Sequence, residues 1–403
     1  MYCISEILSF ADTYRDVNPD RILLGKNLIP HELRKAVALQ VELRRKLQHK
    51  LPSWADSHVY IPSKLALEQS SSMTIAKYKT RFVGEKDVVA DLTGGLGVDL
   101  YYLSRATSET CYYCEKQEQL AEAAKFNYNL LCQDRIPHVF CGDSLSMLDD
   151  LISKGVSLIY VDPARRAGIA GGKEYERKYA IRDCQPDVCK LIPLLPQNGS
   201  VRLLIKLSPM LDIKDTLLSV GVASEMHIIS QKGELKELLL YCDMSKEISL
   251  EQIPITVADL ATENQFIFTL GEEQNAQYQL AEHIAQYLYI PNAGIMKSGG
   301  FKSLAIRLGL QILHPNTHIF TSNCLCDKFP GRVLKVHEII PFHNKNLKAL
   351  KSSVKAANVF CRNFKLTTNQ LRDKLKMKEA ETPYVIGLKA MGDEQFIVVA
   401  NPV

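Results

Sequence analysis

The chain has 403 residues, 46% hydrophobic and 23% charged, with a net charge of +4. That composition excludes disordered and fibrous classes, and the length predicts two or three globular domains, each with its own core. No apolar run reaches the roughly 18 residues of a membrane span, and MYCISEILSFADTYRD carries acids and no signal-peptide layout, so a cytoplasmic protein without a membrane partner is expected. The 11 cysteines are odd in number and scattered, several inside apolar stretches, which reads as reduced core thiols. Cys111 and Cys114 fall in TCYYCE, a strand-like run in which their side chains diverge, so no metal is expected there.

Residues 1–80 read mainly as helix. HELRKAVALQVELRRKLQHK sets apolar residues at helical spacing among basic ones, and Leu51-Pro52-Ser53-Trp54 ends that helix. LALEQSSSMTIAKYKTRF is a second amphipathic piece leading onward. From Asp87 to Met244 short apolar runs alternate with helical stretches, the mark of βα units building a parallel sheet. The candidate strands are VVADLT, TCYYCE, HVFCGD, LIYVDP, VRLLIKL, EMHIIS and LKELLLYC, the last two flanking the turn-like Gln231-Lys232-Gly233. They predict an α/β, Rossmann-like, seven-stranded sheet closed by an antiparallel hairpin. After Ile253-Pro254 the composition shifts to α+β character, and the expected divisions are 1–80, 81–248, 249–326 and 327–403.

The most informative segment is VVADLTGGLGVDLYYL, an apolar strand, a turn with Gly94, Gly95 and Gly97, then an apolar helix. Glycines there permit positive φ and close approach of a ligand to the backbone. The next strand ends in Glu115, where a carboxylate can accept ribose hydroxyls; the third ends in Gly142-Asp143-Ser144 and the fourth in Asp162-Pro163. Four such ends define one crevice at the carboxyl edge of a sheet. Asp91 and Asp99 would repel a pyrophosphate and suit an ammonium group.

This array resembles that of class I S-adenosylmethionine-dependent methyltransferases over residues 87–244. The resemblance implies S-adenosylmethionine as cofactor, with Asp91, Gly94, Gly95 and Gly97 along its methionine end, Glu115 at the ribose and Asp143 at the adenine amine. Thr93, Asp99, Lys116 and Ser144 complete the implied cofactor site. Gln69-Ser70-Ser71-Ser72 resembles the segment that folds over the cofactor in amino-methylating nucleic-acid enzymes, which adds Gln69 and Ser71; the plain alternative is a helix N-cap.

Methyltransferases acting on exocyclic amines of bases end the fourth strand in Asn or Asp, Pro, Pro and an aromatic. The polar side chain and proline carbonyl accept the amine's hydrogens, and the ring stacks on the base. This chain has Asp162-Pro163-Ala164-Arg165-Arg166-Ala167-Gly168, keeping the acid and first proline without the aromatic. Asp162 and Pro163 are the implied catalytic pair. The segment also resembles the DPPRxG of 5-methyluridine methyltransferases, but Lys206-Leu207-Ser208-Pro209 holds no cysteine for the covalent route. Arg165, Arg166 and Lys206 could clamp a substrate phosphate or carboxylate, and Tyr175 and Tyr179 could stack on a base.

Between Lys328 and Lys378 thirteen basic residues stand against Glu338 and Asp373, a charge balance that favours a polyanion through counterion release. NVFCRNFKLTTNQLRDKLKMKE resembles a THUMP-like domain, and YIPNAGIMKSGGFKSLA the ferredoxin-like segment preceding it in a Bacteroidetes-type methyltransferase family. The core is also similar to trimethylguanosine synthase. Together the resemblances imply an RNA methyltransferase acting on an exocyclic amine of a purine. Two other readings stand beside it: a small-molecule methyltransferase for an acidic substrate, and a non-catalytic RNA-binding protein.

Overall fold

A computed structural model describes residues 3–25, 28–132, 134–165, 181–262 and 264–403. The chain divides into two compact units, residues 1–224 with 239–247, and residues 225–238 with 248–403.

The first unit opens with helices α1 (Ile4–Thr13), α2 (Pro19–Leu24) and α3 (Arg34–Lys50). Asn18 caps α2 by accepting from the Asp20 amide, with Pro19 at the first helical position where its missing N–H costs nothing. Ile7, Ala11, Ile22, Leu33, Val37 and Val41 bury one face of all three helices in a common cluster. Two buried amides fasten the extended chain that follows. Gln40 exchanges hydrogen bonds of 2.7 and 3.0 Å with the Ile61 backbone, and Asn127 exchanges bonds of 2.7 and 2.9 Å with that of Tyr60. The second amphipathic piece is broken at Ser70–Ser72 into α4 (Lys64–Gln69) and α5 (Met73–Lys79), each begun by a serine.

Strands β1 (Val89–Asp91), β2 (Cys111–Glu115), β3 (His138–Cys141), β4 (Leu158–Val161) and β5 (Arg202–Leu207) pair in parallel. β1, β4 and most of β5 are buried, as apolar runs covered on both faces must be. The register sets Asp91 level with Tyr113 on β2 and Tyr160 on β4. At the opposite edge Asp87 binds Ser157, the Gly84 amide and the Arg202 guanidinium, which also reaches Tyr241.

The remaining strands are β6 (Glu225–Gln231), β7 (Glu234–Asp243), β8 (Pro254–Asp259) and β9 (Asn264–Thr269), and the hydrogen-bonded order is β9-β8-β6-β7-β5-β4-β1-β2-β3. The expected seven strands are therefore nine. β6 is buried from Met226 to Ser230, so its outer edge is covered by β8 in parallel, and β9 turns back antiparallel on β8.

The second unit also holds a seven-stranded sheet. Its strands are β10 (Tyr287–Pro291), β11 (Gln311–Ile312), β12 (Phe320–Ser322), β13 (Gly331–Pro341), β14 (Ala356–Arg362), β15 (Lys378–Lys389) and β16 (Gln395–Pro402), in the order β11-β12-β10-β13-β16-β15-β14. Alternate residues of β15 and β16 serve separate cores: Ile386, Leu388 and Val398 on one face, Val385, Ile397 and Val399 on the other. Helices Asn344–Ser353 and Thr368–Leu375 cover the second core with Leu347, Leu350, Leu371 and Leu375. The division expected at 326/327 thus falls between two strands of one sheet. Among the described residues no helix is long and apolar enough to cross a membrane, and no cluster of three or more His, Cys, Asp or Glu could hold a metal.

Candidate active site

The turn after β1 is shaped by contacts a side chain would destroy. The Gly94 amide donates to Cys114 O at 2.9 Å, and a Cβ on Gly94 would overlap the Tyr113 ring. Gly95 and Gly97 have φ of +55° and +84°, and Gly97 lies against the Tyr128 hydroxyl, which donates to its carbonyl at 2.8 Å. Gly97 then starts helix α6 (Val98–Ser104). Gly94→Ala is expected to destabilise the fold by about 1–3 kcal/mol through overpacking, with Tyr113→Leu recovering part of the loss in urea denaturation.

The strand ends meet as the spacing implies. Glu115 Oε2 accepts from the Gly95 amide and Oε1 from the Gln117 amide, both at 2.9 Å. Lys116 pairs with Asp143 at 3.3 Å, and Asp143 caps the turn holding buried Ser144 by accepting from the Leu145 amide. Asp91 is 1% exposed, and its Oδ1 accepts from the Thr93 amide at 2.9 Å and hydroxyl at 3.3 Å. Burial pushes the Asp91 carboxyl up to about 8 against the Thr93 backbone bond, and the Asp99 and Asp162 charges add to the rise. The Asp162 amide donates to Thr93 Oγ1 at 2.6 Å, tying the end of β4 to the glycine turn.

Three of the expected residues have partners the sequence did not suggest. Asp99 is engaged at both oxygens: Lys79 Nζ donates to Oδ1 at 2.8 Å, and the Ser71 and Tyr160 hydroxyls donate to Oδ2 at 2.9 Å each. Burial works to raise the Asp99 carboxyl and is outweighed by Lys79 and Lys206, which hold it below the usual carboxylate range. Ser71 also accepts from Lys79 at 2.8 Å, so its hydroxyl serves this network. Lys206, expected as a substrate clamp, pairs with Asp162 Oδ2 at 2.5 Å.

Gln69 is exposed at the end of α4, and Pro163 is half-buried beside Asp162. Ala164 and Arg165 pair with Cys184 and Gln185 in a two-residue ladder. The Arg165 side chain, Arg166, Tyr175 and Tyr179 lie outside the described residues. Lys79 and Tyr160 are the residues of this network that sequence reasoning missed. Lys79 follows Ile75 at i+4 on the apolar stripe of α5, a buried cation's only local signal.

The donor set fits S-adenosylmethionine: a buried carboxyl for a cation, an acid at the end of β2 for a diol, and a backbone open at Gly95, where an added Cβ would meet nothing nearer than 3.8 Å. A β1-glycine turn-helix unit in a sheet ordered this way defines a class I S-adenosylmethionine-dependent methyltransferase.

Comparison with solved structures places the chain further. It is 39% identical to the protein titled "putative methyltransferase" from Porphyromonas gingivalis W83, over 99% of this chain and 98% of that one, with a TM-score of 0.91. The chain belongs to this methyltransferase family. Residues 3–43 match the family described as "N-terminal domain in putative methyltransferase", 287–330 a ferredoxin-like domain and 331–402 a THUMP domain-like family. A class I methyltransferase from Listeria monocytogenes, titled as putative, is 12% identical over 64% of this chain and 93% of its own, with a TM-score of 0.38. An rRNA methylase from Streptococcus thermophilus is 13% identical over 42% and 94%, with a TM-score of 0.29. Neither score is high enough to bear on the site. Comparison with curated proteins gives no match.

Proposed function

We propose that the protein methylates RNA in the cytoplasm at an exocyclic amine of a purine base. Asp162-Pro163 carries this proposal, standing at the carboxyl end of β4 with its amide anchored on the glycine turn and its carboxylate on Lys206. In it Asp91, Thr93, Gly94, Gly95 and Gly97 hold the methionine end, Glu115 and Lys116 the ribose, and Asp143 and Ser144 the adenine. Asp99, Ser71 and Gln69 complete the proposed cofactor site. The divisions 1–80, 81–248, 249–326 and 327–403 are the proposed functional parts.

Bound S-adenosylmethionine supplies a methyl group on a positively charged sulfur. The chain's own residues hold the amine, exclude water and accept its hydrogens, work that needs orientation more than acid or base strength. With Oδ2 on Lys206, Asp162 accepts one N–H through Oδ1 and the Pro163 carbonyl accepts the other, which leaves the nitrogen lone pair for the methyl carbon.

RNA is favoured by the cationic helices of the second unit. Lys345, Lys348 and Lys374 are exposed there, with Asp373 the lone acid on either helix. Removing residues from Asp327 onward would take β13–β16 out of a sheet shared with β10–β12, so charge reversal is the cleaner probe. Lys345→Glu, Lys348→Glu and Lys374→Glu together should weaken binding of bulk RNA at least tenfold and flatten its salt dependence by about 2–3 in log–log slope, leaving cofactor affinity unchanged. An unchanged slope would move the RNA surface elsewhere.

Mass spectrometry of nucleosides from total RNA of a deletion strain tests the proposal as a whole. One methylated purine is expected to be missing. Unchanged nucleosides with RNA binding intact would instead indicate a non-catalytic RNA-binding protein.

A further inference from the structure

Among the described residues, the charges at the carboxyl ends of β1 and β4 do not balance: three acids, Asp91, Asp99 and Asp162, stand with two ammonium groups. Lys79 pairs with Asp99 at 2.8 Å and Lys206 with Asp162 at 2.5 Å. Asp91 is the acid left over: among the described residues no cation pairs with it, and it is 1% exposed. Among the described residues, the groups that act on it most strongly supply no positive charge. Thr93 gives two hydrogen bonds from the turn, while Asp99 on α6 and Asp162 beyond β4 repel it. Tyr113 and Cys114 on β2 and Tyr128 on the helix Glu118–Leu131 are neutral near pH 7, since burial raises all three and pushes Cys114 up to about 12. A buried carboxylate in that setting must find a cation or take a proton.

We propose that S-adenosylmethionine enters this site in exchange for a proton on Asp91. The cofactor's α-ammonium supplies the missing third positive charge, and one proton passes to solvent. The balance is Asp91–COOH plus ligand–NH3+ giving Asp91–COO− paired with ligand–NH3+, plus H+. This rests on the reading of Asp91 as lining the methionine end. It is supported by the raised carboxyl, about 8, which keeps Asp91 protonated before the cofactor arrives. Binding should therefore strengthen with pH, whereas a site holding a ready-made carboxylate would show no such rise.

Calorimetry on the full chain at pH 6.5, in phosphate and in Tris, tests this. The two buffers differ in ionisation enthalpy, so the difference in observed heat reports the protons released per ligand bound. S-adenosylmethionine and S-adenosylhomocysteine should each release about one proton, and their affinity should rise nearly tenfold between pH 5.5 and 6.5. 5′-Methylthioadenosine, which keeps the nucleoside and thioether without the ammonium, should release none. Asp91→Asn, which mimics the protonated acid, should bind S-adenosylhomocysteine more weakly and without proton release. Tight binding of S-adenosylmethionine with no proton release overturns the exchange and leaves the cofactor assignment standing. Equal release by 5′-methylthioadenosine overturns it as well, by placing the proton away from the ammonium. Failure of all three ligands to bind overturns the cofactor reading and the exchange together.

Discussion

Asp162→Ala is expected to slow methyl transfer by a factor on the order of a hundred or more while leaving cofactor affinity no weaker than that of the wild type. The separation follows from the geometry: the residues proposed for methionine and ribose come from the ends of β1 and β2, whereas Asp162 meets the turn through its amide on Thr93 and acts on Asp91 through a repulsive charge whose loss does not weaken the site. That main-chain bond survives the substitution. What is lost is the acceptor held against Lys206 at 2.5 Å, so the effect belongs to the chemical rate. Asp162→Asn keeps one acceptor oxygen and should retain more activity than alanine. Because Lys206 works through Asp162, Lys206→Met should slow the wild type and add little once Asp162 is already asparagine. Single-turnover rates on the identified RNA decide it. Near wild-type speed for Asp162→Ala would remove Asp162 from the mechanism.

The parallel sheet is legible in the sequence because a strand buried on both faces must be an unbroken apolar run, and LIYVDP and VRLLIKL are such runs. The glycine turn is legible for a similar reason, since Gly94, Gly95 and Gly97 each answer a local demand of backbone or neighbour. Strands β8 and β9 escape such reading because PITVAD begins on a proline at a composition shift and resembles the start of a new unit. Only the uncovered edge of β6 explains why it joins the first sheet. The charge network escapes too. Lys79 and Asp99 are twenty residues apart and Asp162 and Lys206 forty-four, and pairing over such distances leaves no local period to find.

Lys79→Met is expected to destabilise the protein by about 3–5 kcal/mol, because it strands Asp99 as a buried charge without its cation. That would be a large share of the roughly 5–15 kcal/mol that holds a typical domain folded. The Lys79 side chain is fully buried, and Asp99 would keep the Ser71 and Tyr160 hydroxyls and the field of Lys206 but no direct cation partner among the described residues. Adding Asp99→Asn removes the stranded charge and keeps an acceptor for those hydroxyls, so the double variant should recover roughly half the loss. The pH dependence supplies an independent check with a definite sign. The Asp99 carboxyl is held below its ordinary value, so its stabilisation is full above the unfolded value of about 4 and is lost as pH falls below it. Urea denaturation should therefore show the gap between wild type and Lys79→Met narrowing on acidification through that range. A gap constant from pH 7 to pH 3 would mean that lost packing, with no electrostatic part, explains the variant. The same substitution loosens Ser71 from Asp99 and Lys79, and with it the start of α5 beside the glycine turn. Cofactor affinity should then fall even at temperatures where the variant is fully folded, and unchanged affinity there would separate the Ser71 segment from the cofactor site.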